Sequence, residues 1–373
     1  VTSLAAAALF DGLAMHRDVT LDHAGGIVTG LRSGGGAGAA HALPPDWLLA
    51  PGFVDLQVNG AGGVMFNDAP SAAAASAIAA ALAPHGTTAL LPTLISARGK
   101  IAAALAGTAE AIAAGVPGVL GVHIEGPFIN PARRGMHVPS EIVPLREDDV
   151  LLLAAAHPGV RLLTLAPECV EATQLETLAR TLRVFAGHTD ATAEQAEQAI
   201  AAGLAGFTHL FNAMSQFGSR APGCVGAALA HGSIAAGIIA DGLHVHPRSI
   251  RAAWRAMGPD RLFLVSDCMS TVAGGGESYV WDGETIRLSD GRLARQDGTL
   301  AGAHVTLGQC VQRAVQLCDI PLEHALRMAT ATPARHAGAD HVGRLAPGCR
   351  ADMVALDSEL QVCAVWQGGK RLR

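Results

Sequence analysis

The chain has 373 residues, half of them apolar, with 16% charged and only 4% aromatic. A formal net charge of −6 leaves no broad basic field, and so few aromatics offer no stacking platform, which excludes nucleic acid as a partner. An anionic ligand would need a local cationic pocket. The length suits one large domain plus a smaller one, and the apolar content excludes a disordered chain.

The opening VTSLAAAALFDG is an apolar run with no basic residue before it that meets Asp11 at once. It reads as a strand or a mature N-terminus rather than a secretory signal. Short apolar pieces cut by Gly and Asp follow to residue 50 and predict a β-rich lobe. Within it, Gly34, Gly36 and Ala39 loosely match a dinucleotide fingerprint, but no strand-turn-helix unit surrounds them, so they read as a turn. The alanine-rich stretch 71–83 is too short and too weakly apolar to span a bilayer, so no membrane is expected.

From Pro51 apolar runs alternate with alanine-rich helical segments, the mark of βα units around a parallel sheet. Eight strands are predicted at 52–60, 87–94, 119–128, 162–168, 184–189, 207–213, 235–244 and 262–267. Eight such units in about 250 residues predict a closed (β/α)8 TIM-type barrel, an α/β fold. Beyond the eighth strand, Asp282-Gly283, Asp290-Gly291 and Asp297-Gly298 punctuate alternating segments and predict a β-meander near 279–301. The last residues return to a strand-like pattern. The expected organisation is a barrel over 51–339 and a small discontinuous β-sandwich domain from 1–50 plus 340–373. Seven scattered cysteines without a C-x-x-C pair read as reduced thiols in the cytoplasm.

Polar residues interrupt the strand pattern near its C-terminal ends: Glu125, His188, His209, His244 and Asp267. In a barrel those ends share one mouth, so residues far apart in sequence can converge there. Taken singly, each has a plain structural reading: a satisfied histidine, a helix N-cap, or a carboxylate capping the next loop. As a set they suit metal-assisted hydrolysis, in which one carboxylate and two imidazoles hold a divalent ion and a further aspartate moves protons. Serine-hydrolase, P-loop and HExxH motifs are all missing from the sequence.

Nine segments resemble the N-acetylglucosamine-6-phosphate deacetylases of the amidohydrolase superfamily, in that family's order and nearly end to end. They are PGFVDLQVNGAGGVMFND (51–68), HIEGPFINPARRGMH (123–137), AGHTDA (186–191), THLFNAMSQFGSRAPG (208–223), IADGLHVHP (239–247), LVSDCM (264–269), TLAGA (299–303), TPAR (332–335) and GRLAPGCRADMVALD (343–357). The resemblance implies Glu125, His188 and His209 as metal ligands and Asp267 as general base and acid. It places a phosphorylated amino sugar against Met136, His137, Asn212, Ala213, Arg220, Asp241, Gly242, Leu243, His244, Leu300, Ala301 and Gly302. Arg220 would suit a phosphate with its planar charged fork, although alone it reads as a solvated loop residue. His137 could equally be an exposed loop histidine, and His244 a structural one.

The resemblance further implies one divalent metal per subunit, zinc first with iron, cobalt or manganese as alternatives, and a homodimer. Where many superfamily members carry H-x-H on the first strand, this chain has Gln57 and Asn59, whose amides are poor ligands, so a single tight metal is expected. Two rival readings stay open: an amidohydrolase acting on another N-acyl substrate, and a non-catalytic barrel scaffold.

Overall fold

The computed structural model describes residues 1–34 and 41–373. Gly36 and Ala39 of the loose fingerprint lie outside the described residues. All eight predicted barrel strands are present: β1 (Phe53–Val58), β2 (Thr87–Ile95), β3 (Gly121–Glu125), β4 (Val160–Leu165), β5 (Arg183–Ala186), β6 (Gly206–Phe207), β7 (Ala235–Ile239) and β8 (Leu262–Val265). They pair in sequence order, parallel throughout. The seam between β8 and β1 is completed past the strand ends, where the Asp267 N–H donates to the Gln57 carbonyl at 3.0 Å and Val58 bridges Cys268.

β1 and β2 are buried at every position, as expected of strands covered on both faces, which explains their continuous apolar runs. A helix follows each strand, from Ala72–Leu82 after β1 to Leu307–Gln316 after β8. Short polar side chains start several of them. Ser71 accepts from the Ala74 N–H, while Thr192 and Thr306 form capping boxes with Gln195 and Gln309.

Both chain ends meet in one sheet. Leu48–Pro51 lies between Thr2–Phe10, which it pairs in parallel, and Met353–Leu356, which it pairs antiparallel. Leu4, Leu9, Leu21, Leu49, Met353 and Trp366 give this sheet its own apolar core. The predicted meander forms four antiparallel strands, Ser278–Trp281, Glu284–Ser289, Arg292–Ala294 and Leu300–Ala303. Its first two turns have positive φ at both Asp and Gly (49° and 74°, then 50° and 76°), the geometry that makes Asp-Gly a hairpin signal. No helix among the described residues is long and apolar enough to cross a membrane.

Every strand except β2 stops earlier than the sequence pattern suggests, most of all β6 at Phe207 and β7 at Ile239. After β6, His209, Phe211 and Ala213 all take positive φ, which breaks the extended run. After β7, the Asp241 carboxylate accepts the N–H groups of Leu243 and His244 at 2.8 Å each and closes a turn. His209 and His244 therefore stand on loops beyond the barrel strands rather than on them.

Candidate active site

Glu125, His188 and His209 converge at the C-terminal mouth. Glu125 Oε1 lies 3.3 Å from His188 Nε2 and 3.0 Å from His209 Nε2, and the two Nε2 atoms are 3.1 Å apart. All three residues are buried. Left-handed backbone at His188 (φ 50°), His209 (φ 33°) and Asp267 (φ 51°) lies within three residues of a strand end and sends the chain out of the extended path there. Such conformations are costly for non-glycine residues and concentrate at functional sites.

The chemistry of this trio fits a cation. His188 Nδ1–H donates to the Arg133 carbonyl at 2.9 Å, so in the neutral ring Nε2 carries the lone pair aimed at the cluster. Burial would raise the Glu125 carboxyl, but the His188 and His209 imidazoles against it hold it well below its usual range. Burial would likewise lower His209, yet Glu125 raises it. The cluster thus calls for positive charge where three ligand atoms meet, and a divalent ion supplies it. His137 is also within reach, since Glu125, His137 and His188 offer ligand atoms all within 4.8 Å of one another. The His209 contacts are tighter, and His137 Nδ1 is already taken by Ser96 Oγ at 2.6 Å.

Asp267 lines the same mouth and is linked to the trio through Gln57, whose Nε2 also donates to Glu125 Oε1 at 2.9 Å. Gln57 Nε2 and Asn59 Nδ2 both donate to its Oδ1, at 3.0 and 2.7 Å. Burial, with the charge of Glu125, pushes the Asp267 carboxyl up to about 6. His137 is buried and held well below the usual imidazole range, first by burial and then by His188, so it is neutral. Its partner Ser96 needs Gly126 beside it: a Cβ at Gly126, whose φ is 74°, would stand 2.3 Å from Ser96 Oγ.

Glu125, His137, His188, His209, Asn59 and Asp267 line a cavity of about 360 Å³. Of the residues expected to meet a sugar, Met136, His137, Asn212, Ala213, His244, Leu300 and Gly302 line it. Asp241, Gly242, Leu243, Ala301 and Arg220 do not. The Asp241 carboxylate is turned onto His244 Nδ1 at 2.6 Å and orients that ring. The Ala301 carbonyl accepts the Tyr279 hydroxyl at 2.6 Å. Arg220 is exposed on the loop after the His209 turn. A larger cavity, about 530 Å³, opens by the starts of β4 and β5, away from this chemistry.

Sequence reasoning did not single out Ser96, Arg133, Glu168 or His123. His123 was within its reach: it stands two residues before Glu125 on β3 and so shares its face. It bonds Thr164 Oγ1 at 2.8 Å, and burial takes it down to about 4.

The sequence profile of the Amidohydrolase family matches residues 48–371. The chain belongs to the amidohydrolase family. Among curated relatives of this amidohydrolase, the N-acetylgalactosamine-6-phosphate deacetylase of Shewanella sp. (strain ANA-3) is 41% identical over 355 residues, 93% of this chain and 90% of the relative. The N-acetylglucosamine-6-phosphate deacetylase of Haemophilus influenzae is 35% identical over 341 residues, 86% of each. Among solved structures, the N-acetylglucosamine-6-phosphate deacetylase of Pasteurella multocida superposes with a TM-score of 0.94 at 31% identity, covering 99% of both chains. An aspartate-to-alanine mutant of the Mycobacterium smegmatis deacetylase, in complex with N-acetyl-D-glucosamine-6-phosphate, gives 0.92 at 32% identity over 99% of this chain and 98% of that one.

Proposed function

We propose that this amidohydrolase converts N-acetylglucosamine 6-phosphate to glucosamine 6-phosphate and acetate, a step of amino-sugar catabolism. The observation that carries the reading is the meeting of Glu125 Oε1, His188 Nε2 and His209 Nε2 within 3.0–3.3 Å, with Asp267 lining the same cavity. Likeness to deacetylases over nearly the whole chain supports the substrate class.

Glu125, His188 and His209 would hold one divalent ion, for which zinc suits a two-imidazole, one-carboxylate set and iron, cobalt or manganese also fit. When bound, the ion supplies Lewis acidity, which acidifies water and polarises the acetamide carbonyl. Asp267 takes the proton of the attacking water on its carboxylate and delivers it to the departing nitrogen. His137, with Nδ1 on Ser96, offers Nε2–H to the oxygen that gains charge. His244, whose Nδ1 is held by Asp241, turns Nε2 to the sugar, where Asn212, Ala213, Leu300 and Gly302 complete the wall. Arg220 carries the phosphate assignment.

A second reading, the C4 epimer N-acetylgalactosamine 6-phosphate, is favoured by the 41% identity to a deacetylase of that name. The proposal includes a homodimer, on the family resemblance, and a cytoplasmic location, supported by seven free cysteines. It also takes the sheet built from both chain ends as a small domain beside the barrel. Acetate release from the two phosphorylated epimers and from unphosphorylated N-acetylglucosamine, with and without chelator, tests it. Release that ignores chelator, or is equal without the phosphate, would count against it.

A further inference from the structure

Glu168 sits just past β4, in the short turn Pro167–Cys169, and is not part of the cavity lining. Its carboxylate instead joins two loops. Oε1 accepts from Asn130 Nδ2 at 2.9 Å and from the Asp190 N–H at 2.6 Å, and Oε2 accepts from Thr189 Oγ1 at 2.5 Å. Each partner is one step from His188. The Asn130 N–H donates to the His188 carbonyl at 2.9 Å. Asn130 Oδ1 caps the turn Pro131–Arg133, whose last carbonyl accepts from His188 Nδ1–H. Asp190 is paired to the Arg133 guanidinium at 2.7 Å. Thr189 and Asp190 directly follow His188 in the chain.

His188 needs such a frame. Its φ of 50° is strained for an L-residue, so the loop would relax unless held from several sides. A ligand imidazole is useful only with the right nitrogen bare and the ring correctly turned, and the groups behind it set both. Glu168 ties the residues after His188 to the loop that supplies its Nδ1 acceptor.

We propose that Glu168 is a positioning residue for the metal centre: it fixes the main chain of His188 and the Arg133 carbonyl, and through them the direction of His188 Nε2. This rests on the reading of His188 as a ligand. Ordinary loop bracing would affect melting temperature; positioning affects the metal itself.

The test titrates cobalt(II) into metal-free full-length protein, reading affinity by competition with a colorimetric chelator and geometry by the visible spectrum of the bound ion. Glu168→Ala should weaken cobalt binding about 10- to 100-fold, the usual effect of removing an outer partner, and shift the spectrum. Glu168→Gln, which keeps an acceptor for Asn130 and Asp190, should recover most of that loss. Wild-type affinity and spectrum in a folded Glu168→Ala protein would overturn the proposal. Should Glu168→Ala fail to fold, Thr189→Val removes the Oε2 contact together with the Oγ1 acceptor of the Ala191 N–H, and an unchanged spectrum there would overturn it equally. His188→Ala is the control: cobalt affinity that survives it would sink the ligand reading itself.

Discussion

Gln57 and Asp267, at opposite ends of the barrel sequence, are joined by a hydrogen bond from Gln57 Nε2 to Asp267 Oδ1 at 3.0 Å, and the same nitrogen donates to Glu125 Oε1 at 2.9 Å. Two carboxylates on one side require the amide to present both its N–H bonds there. The side chain thereby spaces a proposed ligand from the proposed base. Gln57→Leu should lower kcat about 10- to 100-fold, the range for losing hydrogen bonds to charged groups, with a smaller change in KM. Steady-state kinetics check this, and an unchanged kcat would remove Gln57 from the machinery.

The same geometry sets the number of cations. The amide nitrogens of Gln57 and Asn59 point at Asp267, so neither offers a lone pair there. Titration of metal-free protein should show one tight equivalent per subunit. Two tight equivalents, both needed for rate, would contradict the arrangement.

Asp267→Asn keeps the shape and the contacts of the cavity wall but cannot accept a proton. Turnover should fall by at least about 10²- to 10⁴-fold, the usual contribution of a positioned acid-base group, while substrate binding is retained. Isothermal titration with the phosphorylated sugar alongside rate measurements separates the two. Near-normal turnover would vacate the role.

Arg220 is exposed and lies outside the cavity lining. Its phosphate assignment predicts that Arg220→Ala raises KM for the phosphorylated sugar far more than for the unphosphorylated one, by about 10-fold or more if a charge-assisted contact is lost. Equal effects on both sugars would place the phosphate elsewhere.

Asp55, beneath the cluster on β1, gives a pH signature in stability rather than in rate. Burial pushes its carboxyl up to about 7; Oδ1 accepts two N–H groups, from Gln57 and Ser266, and Oδ2 has no partner among the described residues. A raised folded value means the protonated acid stabilises the fold. That contribution is complete below pH 4 or so and is lost as pH rises through about 7. Asp55→Asn cannot ionise, so its stability relative to wild type should improve from pH 5 to pH 8, by at most about 3 kcal/mol, since only the stretch from pH 5 to about 7 contributes at roughly 1.4 kcal/mol per unit. Urea midpoints at both pH values measure it, and a gap that fails to grow would contradict the burial argument.

The barrel was legible because its strands are apolar runs covered on both faces, broken by helices with ordinary caps, and because Asp-Gly marks hairpin turns. Glu125 and Asp267 were legible as charges where an apolar strand ends. Strand ends were misjudged where polar residues adopt left-handed backbone, as at His209, since no composition signal announces a positive φ outside glycine. Glu168 and Ser96 stayed hidden for a different reason. Each acts on a loop distant in sequence, so its meaning exists only once the strands are side by side. Asp241 shows the reverse: expected at the sugar, it is turned onto His244.

The meander stands over the cavity through Trp281, whose indole N–H donates to the Met136 carbonyl at 2.9 Å, while Leu300 and Gly302 at its end form part of the wall. Proton-handling groups thus come from the barrel, and part of the enclosure comes from an insertion held on hairpin turns. The two are mechanically joined, since the Ala303 N–H at the meander's end donates to the Asp267 carbonyl at 3.0 Å and its carbonyl accepts the Met269 N–H at 3.1 Å, so a change in this flap is felt at the proposed base as well as at the wall.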